Sequence, residues 1–121
     1  MLAFFEVLGL KPMSRDLNTP AWVQHIALTV KDVDTLQRVQ QRLVEHGIEV
    51  IGPTNHALFQ SIYFFDPNGH RIELAADTST PDILSRLHAL APQMLEEWSK
   101  HKRTVKHAAW LHQRKFSTHH N

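Results

Sequence analysis

From Ser61 to Ala75 the chain reads SIYFF, then DPNG, then HRIELA, two apolar runs around one turn. Pro67 presets its own φ and Gly69 can supply a positive one, so Asp66-Pro67-Asn68-Gly69 reverses the chain and predicts strands at Ser61–Phe65 and His70–Ala75. Upstream, Trp22–Val30 alternates, with Gln24, Ile26, Leu28 and Val30 on one face and His25, Ala27 and Thr29 on the other. A helix follows, capped at Asp32 or Asp34, carrying Val33, Leu36, Val39 and Leu43 along one side and stopping at Gly47. Ile48–Ile51 reads as a further strand closed by Gly52-Pro53. The order is strand, helix, strand, strand, strand: a βαβββ unit of α+β class. Parity on the last strand turns Ile72 and Leu74 toward the helix and Glu73, with Arg71 and Ala75, to the other side. His25 and Glu73 can then face one concavity.

The flanks are simpler. Leu2–Val7 is a short apolar run compatible with a buried strand, joined to the unit by a polar connection ending at Pro20. From Thr80, an N-cap followed by Pro81, the chain turns helical. Ile83, Leu84, Leu87, Leu90, Met94, Leu95 and Trp98 form a stripe that reads as packing surface, and Pro92 is expected to kink or divide it. A second amphipathic stretch after Arg103 carries Val105, Ala108, Trp110, Leu111 and Phe116, and the end at His119-His120 is expected to fray. The expected divisions are 1–20 as a strand and linker, 21–79 as the βαβββ unit, 80–116 as a helical tail and 117–121 as a disordered end.

Composition narrows the chemistry. At 121 residues the chain suits one compact domain and excludes two large ones. A formal charge of +1 argues against sustained phosphate contact, and the basic cluster Lys100–Lys106 reads as a solvated helix face. With no cysteine, disulfides, thiolate catalysis and thiolate-held metal are excluded, so any metal must use His, Asp or Glu. Leu2–Leu10 contains Glu6 and Gly9 and is far shorter than a span of about 20 residues. The expectation is a soluble, cytoplasmic protein.

The candidate chemistry lies at His25, His56, Tyr63 and Glu73. A carboxylate inside the apolar strand Ile72–Ala76 is costly unless a cation or donor meets it, which suits a metal ligand; Arg71 or a tail lysine could equally be that cation. His25 suits a second metal ligand or a partly buried, hydrogen-bonded histidine. His56 suits a catalytic proton carrier or a surface loop residue, and Tyr63 a catalytic partner or a core aromatic. His70, His88, His101, His107 and His112 show no convergent spacing and read as surface residues.

HIALTV at His25, the helix ending in EHGIEV, and SIYFFDPNGHRIEL together resemble the second half of a vicinal oxygen chelate domain. That superfamily embraces glyoxalases, bleomycin-resistance proteins and extradiol dioxygenases. The resemblance covers about residues 21–77 and implies two βαβββ modules curled around one divalent metal, of which this sequence shows one in full. Leu2–Val7 then looks like the last strand of a first module. Laying MLAFFEV on RIELAAD puts Ala3 where Glu73 falls and turns Glu6 away from the site.

The glyoxalase pattern implies one His and one Glu from each module, and the extradiol pattern two His and one Glu. Ala3 favours the second, a facial triad on Fe(II) or Mn(II) with positions open for a bidentate substrate and dioxygen. The resemblance therefore implies an extradiol ring-cleaving dioxygenase acting on a catecholic substrate, with His25 and Glu73 as metal ligands and His56 and Tyr63 handling protons. The missing ligands would come from a first module, or from a second copy in a homodimer, which would give a four-ligand glyoxalase-like shell. Three alternatives accompany it: a glyoxalase-like lyase or isomerase, a drug-binding protein that uses the concavity without metal, and an inactive fragment.

Overall fold

The computed structural model describes residues 3, 5–9, 11, 16–20, 22–103, 107 and 110–111. Strand β1 (Ile26–Val30), helix α1 (Val33–Glu45), strands β2 (Ile51–Asn55), β3 (Phe59–Phe65) and β4 (Arg71–Asp77), and helix α2 (Pro81–His101) follow in that order. The strands form one sheet, β1-β4-β3-β2. β1 runs parallel to β4, whereas β2–β3 and β3–β4 are antiparallel. This is the expected α+β architecture, a βαβββ unit with a following helix.

The Asp66 side chain builds the β3–β4 turn by accepting from the backbone N–H groups of Asn68, at 2.9 Å, and His70, at 2.8 Å. Gly69 sits at φ +86°, as the turn requires. Helix α1 starts where Asp32 accepts from the Thr35 N–H at 2.8 Å, and it ends before Gly47 at φ +72°. Its apolar side drops onto the sheet. Leu36, Ile62 and Ala76 are fully buried there, surrounded by Val30, Val33, Val39, Leu43, Val50 and Leu74.

Several boundaries differ from those read in the sequence. The alternating run expected from Trp22 is regular only from Ile26, and residues 22–24 form a turn that delivers His25 to the mouth of β1. Gly52-Pro53, expected to close a strand at Ile48–Ile51, lies inside β2. β2 is an edge strand, and its pairing with β3 slips between Ile51 and Thr54, so a residue without an N–H costs no interior ladder bond. β3 begins two residues earlier than Ser61, and β4 extends to Asp77.

In the run Leu2–Val7, residues Leu2 and Phe4 lie outside the described residues, and Ala3, Phe5, Glu6 and Val7 are exposed and in no strand. An apolar run becomes a strand only when another strand meets its backbone groups, and none of the four described strands does so here. The expected alignment of MLAFFEV on RIELAAD therefore has no counterpart among the described residues.

Pro92 does not divide α2, which runs unbroken to His101 and closes at Lys102 in the left-handed region, φ +50°. Trp110 and Leu111 form a short helical turn, with Leu111 buried against Ala57 and Ile83, and Arg86 stacks on the Trp110 ring at 3.8 Å. His107, expected at the surface, is partly buried because it pairs with Glu97 at 2.8 Å. Val105, Ala108, His112, Phe116 and His119-His120, with the end 117–121, lie outside the described residues.

Candidate metal and substrate site

The face of the sheet opposite α1 is centred on Glu73. Cross-strand register sets Ala27 on one side of it and Tyr63 on the other. Alanines at 27 and 75 leave room above the carboxylate, so His25, one residue before β1, leans in to place its Nε2 at 2.9 Å from Glu73 Oε2. The other oxygen is held from the opposite side. Ser61 donates its hydroxyl to Oε1 at 2.5 Å and Tyr63 donates at 3.1 Å. Glu73 is 5% exposed, so these three donors replace the water that a buried carboxylate gives up. Arg71, which the sequence offers as a cation for that compensation, forms no ion pair with it.

The predicted proton carriers are brought together. His56 Nε2 lies 2.8 Å from the Tyr63 hydroxyl, and its ring stacks on Phe59 with centroids 4.7 Å apart. A continuous hydrogen-bonded line thus joins His56, Tyr63 and Glu73. Burial first, and the Glu73 charge second, push the Tyr63 phenol above its ordinary value of 10.0. At neutral pH this hydroxyl keeps its proton.

Ser61 is not among the residues that the sequence singles out. The signal is available in strand parity, because Ser61 lies two residues before Tyr63 and so shares its face. A fully buried serine on this strand must answer a polar group. That group is Glu73.

These residues line a concavity of about 470 Å³ whose walls also include Trp22, Ile51, Thr54, Phe59 and Arg71. Trp22 is 69% exposed and Ile51 48%, so the concavity offers apolar and aromatic surface beside its polar floor.

The donor set can be tested against a divalent ion. Two ligand atoms each about 2.1 Å from such an ion and at right angles to one another stand about 3 Å apart, close to the observed separation of Nε2 and Oε2. Glu73 Oε1 is already held by two hydroxyls, which leaves Oε2 as the ligating atom and fixes its direction. The two residues fit as part of a shell. Among the described residues, no group of three or more His, Asp or Glu side chains converges, so the remaining ligands are not supplied here.

Residues 5–74, more than half of the chain, match the family model described as the Glyoxalase/Bleomycin resistance protein/Dioxygenase superfamily. The chain belongs to this superfamily. Catechol-2,3-dioxygenase of Bacillus subtilis (strain 168) is 42% identical over 53 residues, which are 44% of this chain and 18% of that protein. The chain thus spans less than a fifth of the length of that curated relative. Among solved structures, the fosfomycin resistance protein FosX from Mesorhizobium loti is 30% identical, with a TM-score of 0.41, over 65% of this chain and 57% of its own. An integron cassette protein from the mobile metagenome of the Halifax Harbour sewage outfall is 34% identical, also at 0.41, over 44% of this chain and 47% of its own. Within the superfamily match fall β1, α1, β2, β3 and the start of β4 through Leu74, and hence His25, His56, Ser61, Tyr63 and Glu73.

Proposed function

We propose that this module contributes His25 and Glu73 to a divalent metal site, Fe(II) or Mn(II), at which a catecholic substrate is held for extradiol ring cleavage. One observation carries the reading: Nε2 of His25 and Oε2 of Glu73 converge at 2.9 Å above a carboxylate whose second oxygen is pinned from behind. The partial match to a catechol-2,3-dioxygenase supports the substrate class. A metal held by His25 and Glu73 would supply Lewis-acid activation of the diol oxygens.

The chain's own residues do the rest. Ser61 and Tyr63 keep the Glu73 carboxylate turned so that one oxygen faces the concavity. Trp22, Ile51 and Phe59 present apolar surface to a substrate ring and exclude water from it. His56, in contact with the Tyr63 hydroxyl, accepts a proton from the diol as it binds and returns one later. Tyr63 stays protonated throughout and steadies His56.

Two ligands leave a facial triad one histidine short, and that histidine comes from a second βαβββ module. If a second copy of this chain provides it, His25 and Glu73 recur across a two-fold axis and form a four-ligand site, which favours a glyoxalase-like lyase or isomerase instead. The experiment is O2 consumption by the Fe(II)-loaded protein with catechol, followed together with the metal-to-chain ratio. Ring cleavage requires stoichiometric O2 uptake that falls at least a hundredfold in H25A and in E73Q. Bound metal at one ion per two chains without O2 uptake would replace the dioxygenase reading by the lyase reading.

A further inference from the structure

Among the described residues, Arg71 is a permanent cation without an acid to answer it. All twelve Asp and Glu side chains lie among those residues, yet their ion pairs join His25 to Glu73, Lys31 to Asp32, Lys100 to Glu96 and His107 to Glu97. Arg71 takes part in none of them. Its Nε is fully buried and has no hydrogen-bond partner, and its guanidinium carbon sits 4.5 Å from the centroid of the Tyr63 ring. The stack holds the planar fork in place without using its in-plane donors.

What the fork borders gives it a use. Beside the site concavity lies a smaller cleft of about 250 Å³, and Arg71 and His25 line both. The smaller cleft is otherwise walled by Phe65 and Ile26 with Gln24 and His70, and no carboxylate lines it. A cavity with apolar walls, basic side chains and no acid favours a ligand that is itself part apolar and part anionic. On β4, Arg71 and Glu73 share a face, so their backbones stand about 6.6 Å apart.

We infer that Arg71 is a specificity-determining residue that binds a carboxylate on the substrate, selecting catecholic acids over neutral catechols. The inference rests on the proposed site for the diol, since it assigns the cleft next to that site to the substrate's acidic arm. The guanidinium fork matches a planar carboxylate through two parallel N–H donors, which a neutral amide cannot replace.

Calorimetric titration of the full chain in the presence of Mn(II) tests it, with 3,4-dihydroxybenzoate, its neutral analogue 3,4-dihydroxybenzamide, and benzoate as probes. The acid is expected to bind on the order of tenfold more tightly than the amide, with the margin shrinking as salt is added. In R71Q the two affinities should fall within about twofold of each other. Should R71Q fail to fold, as judged by its circular dichroism melt, R71M retains the apolar stem over Tyr63 and takes its place. Equal binding of acid and amide by the unaltered chain overturns the inference, as does a preference that survives both substitutions. Benzoate separates this from the diol reading. If benzoate binds the metal-free chain in an Arg71-dependent way while neither diol binds with Mn(II), the anion site stands and the catechol site falls. If both diols bind with Mn(II) and the acid confers no advantage, the catechol site stands and the anion site falls.

Discussion

At the scale of single residues, Glu73 explains its neighbours. A buried carboxylate must be met by donors, and Ser61, Tyr63 and His25 each have a polar atom within hydrogen-bond reach of it. Removing one donor leaves that demand partly unmet, so S61A should lower stability by about 1–3 kcal/mol, measured by chemical denaturation. A melt unchanged within error would show that water replaces the hydroxyl freely. Tyr63 offers a second test because it is the only tyrosine in the chain, so phenolate absorbance near 295 nm reports it alone. Its midpoint should lie above 10.0, and E73Q, by removing the neighbouring charge, should bring it down; an equal or higher midpoint in E73Q contradicts the assigned cause. Because the native state holds this proton to higher pH than the unfolded chain does, its contribution to stability is complete below about pH 10 and is lost as pH climbs through the native value.

At the scale of elements, strand β2 is where reading the sequence fell short. Gly and Pro in succession signal the end of a strand, and in an interior strand that inference holds. Here β2 is the sheet edge, where a slipped register absorbs both residues. Gly52 is required there for two reasons. Its φ is +115°, and a Cβ would stand 2.7 Å from the Ser61 carbonyl oxygen and 3.0 Å from the Thr54 nitrogen. G52A should therefore cost about 2–4 kcal/mol and disturb Ser61 on the facing strand, so metal affinity should fall along with the melting temperature. A variant that loses neither would mean that the edge relaxes independently of the site. The hairpin after β3 and the helix α1 were readable because Asp66, Gly69, Asp32 and Gly47 fix their ends locally, without reference to neighbours. Pro92, expected to kink or divide α2, does not divide it, since an exposed turn of the helix tolerates the loss of one backbone bond and the chain continues.

At the scale of the whole molecule, one open face and two metal-competent donors set the expected assembly. The concave side of the sheet leaves Trp22 and Ile51 in solvent, and nothing among the described residues covers it. On the lyase reading, in which a second copy completes the shell, addition of Mn(II) should double the mass seen by light scattering and bury these side chains, whereas on the dioxygenase reading the mass should not change. H25A and E73Q should abolish that response; a metal-saturated monomer would assign the missing ligands to a source other than a second copy. No helix among the described residues is long and apolar enough to cross a membrane. The sequence by itself determined the βαβββ order, the turn chemistry and the face on which Glu73 lies, because caps, alternation and φ preferences act within a few residues. Only the tertiary structure decided that His25 bends over Ala27 to reach Glu73, that Ser61 closes the far side, and that Arg71 meets no acid among the described residues. Those facts depend on which strands lie side by side and in what register, and register is fixed by packing across the sheet rather than by any one segment.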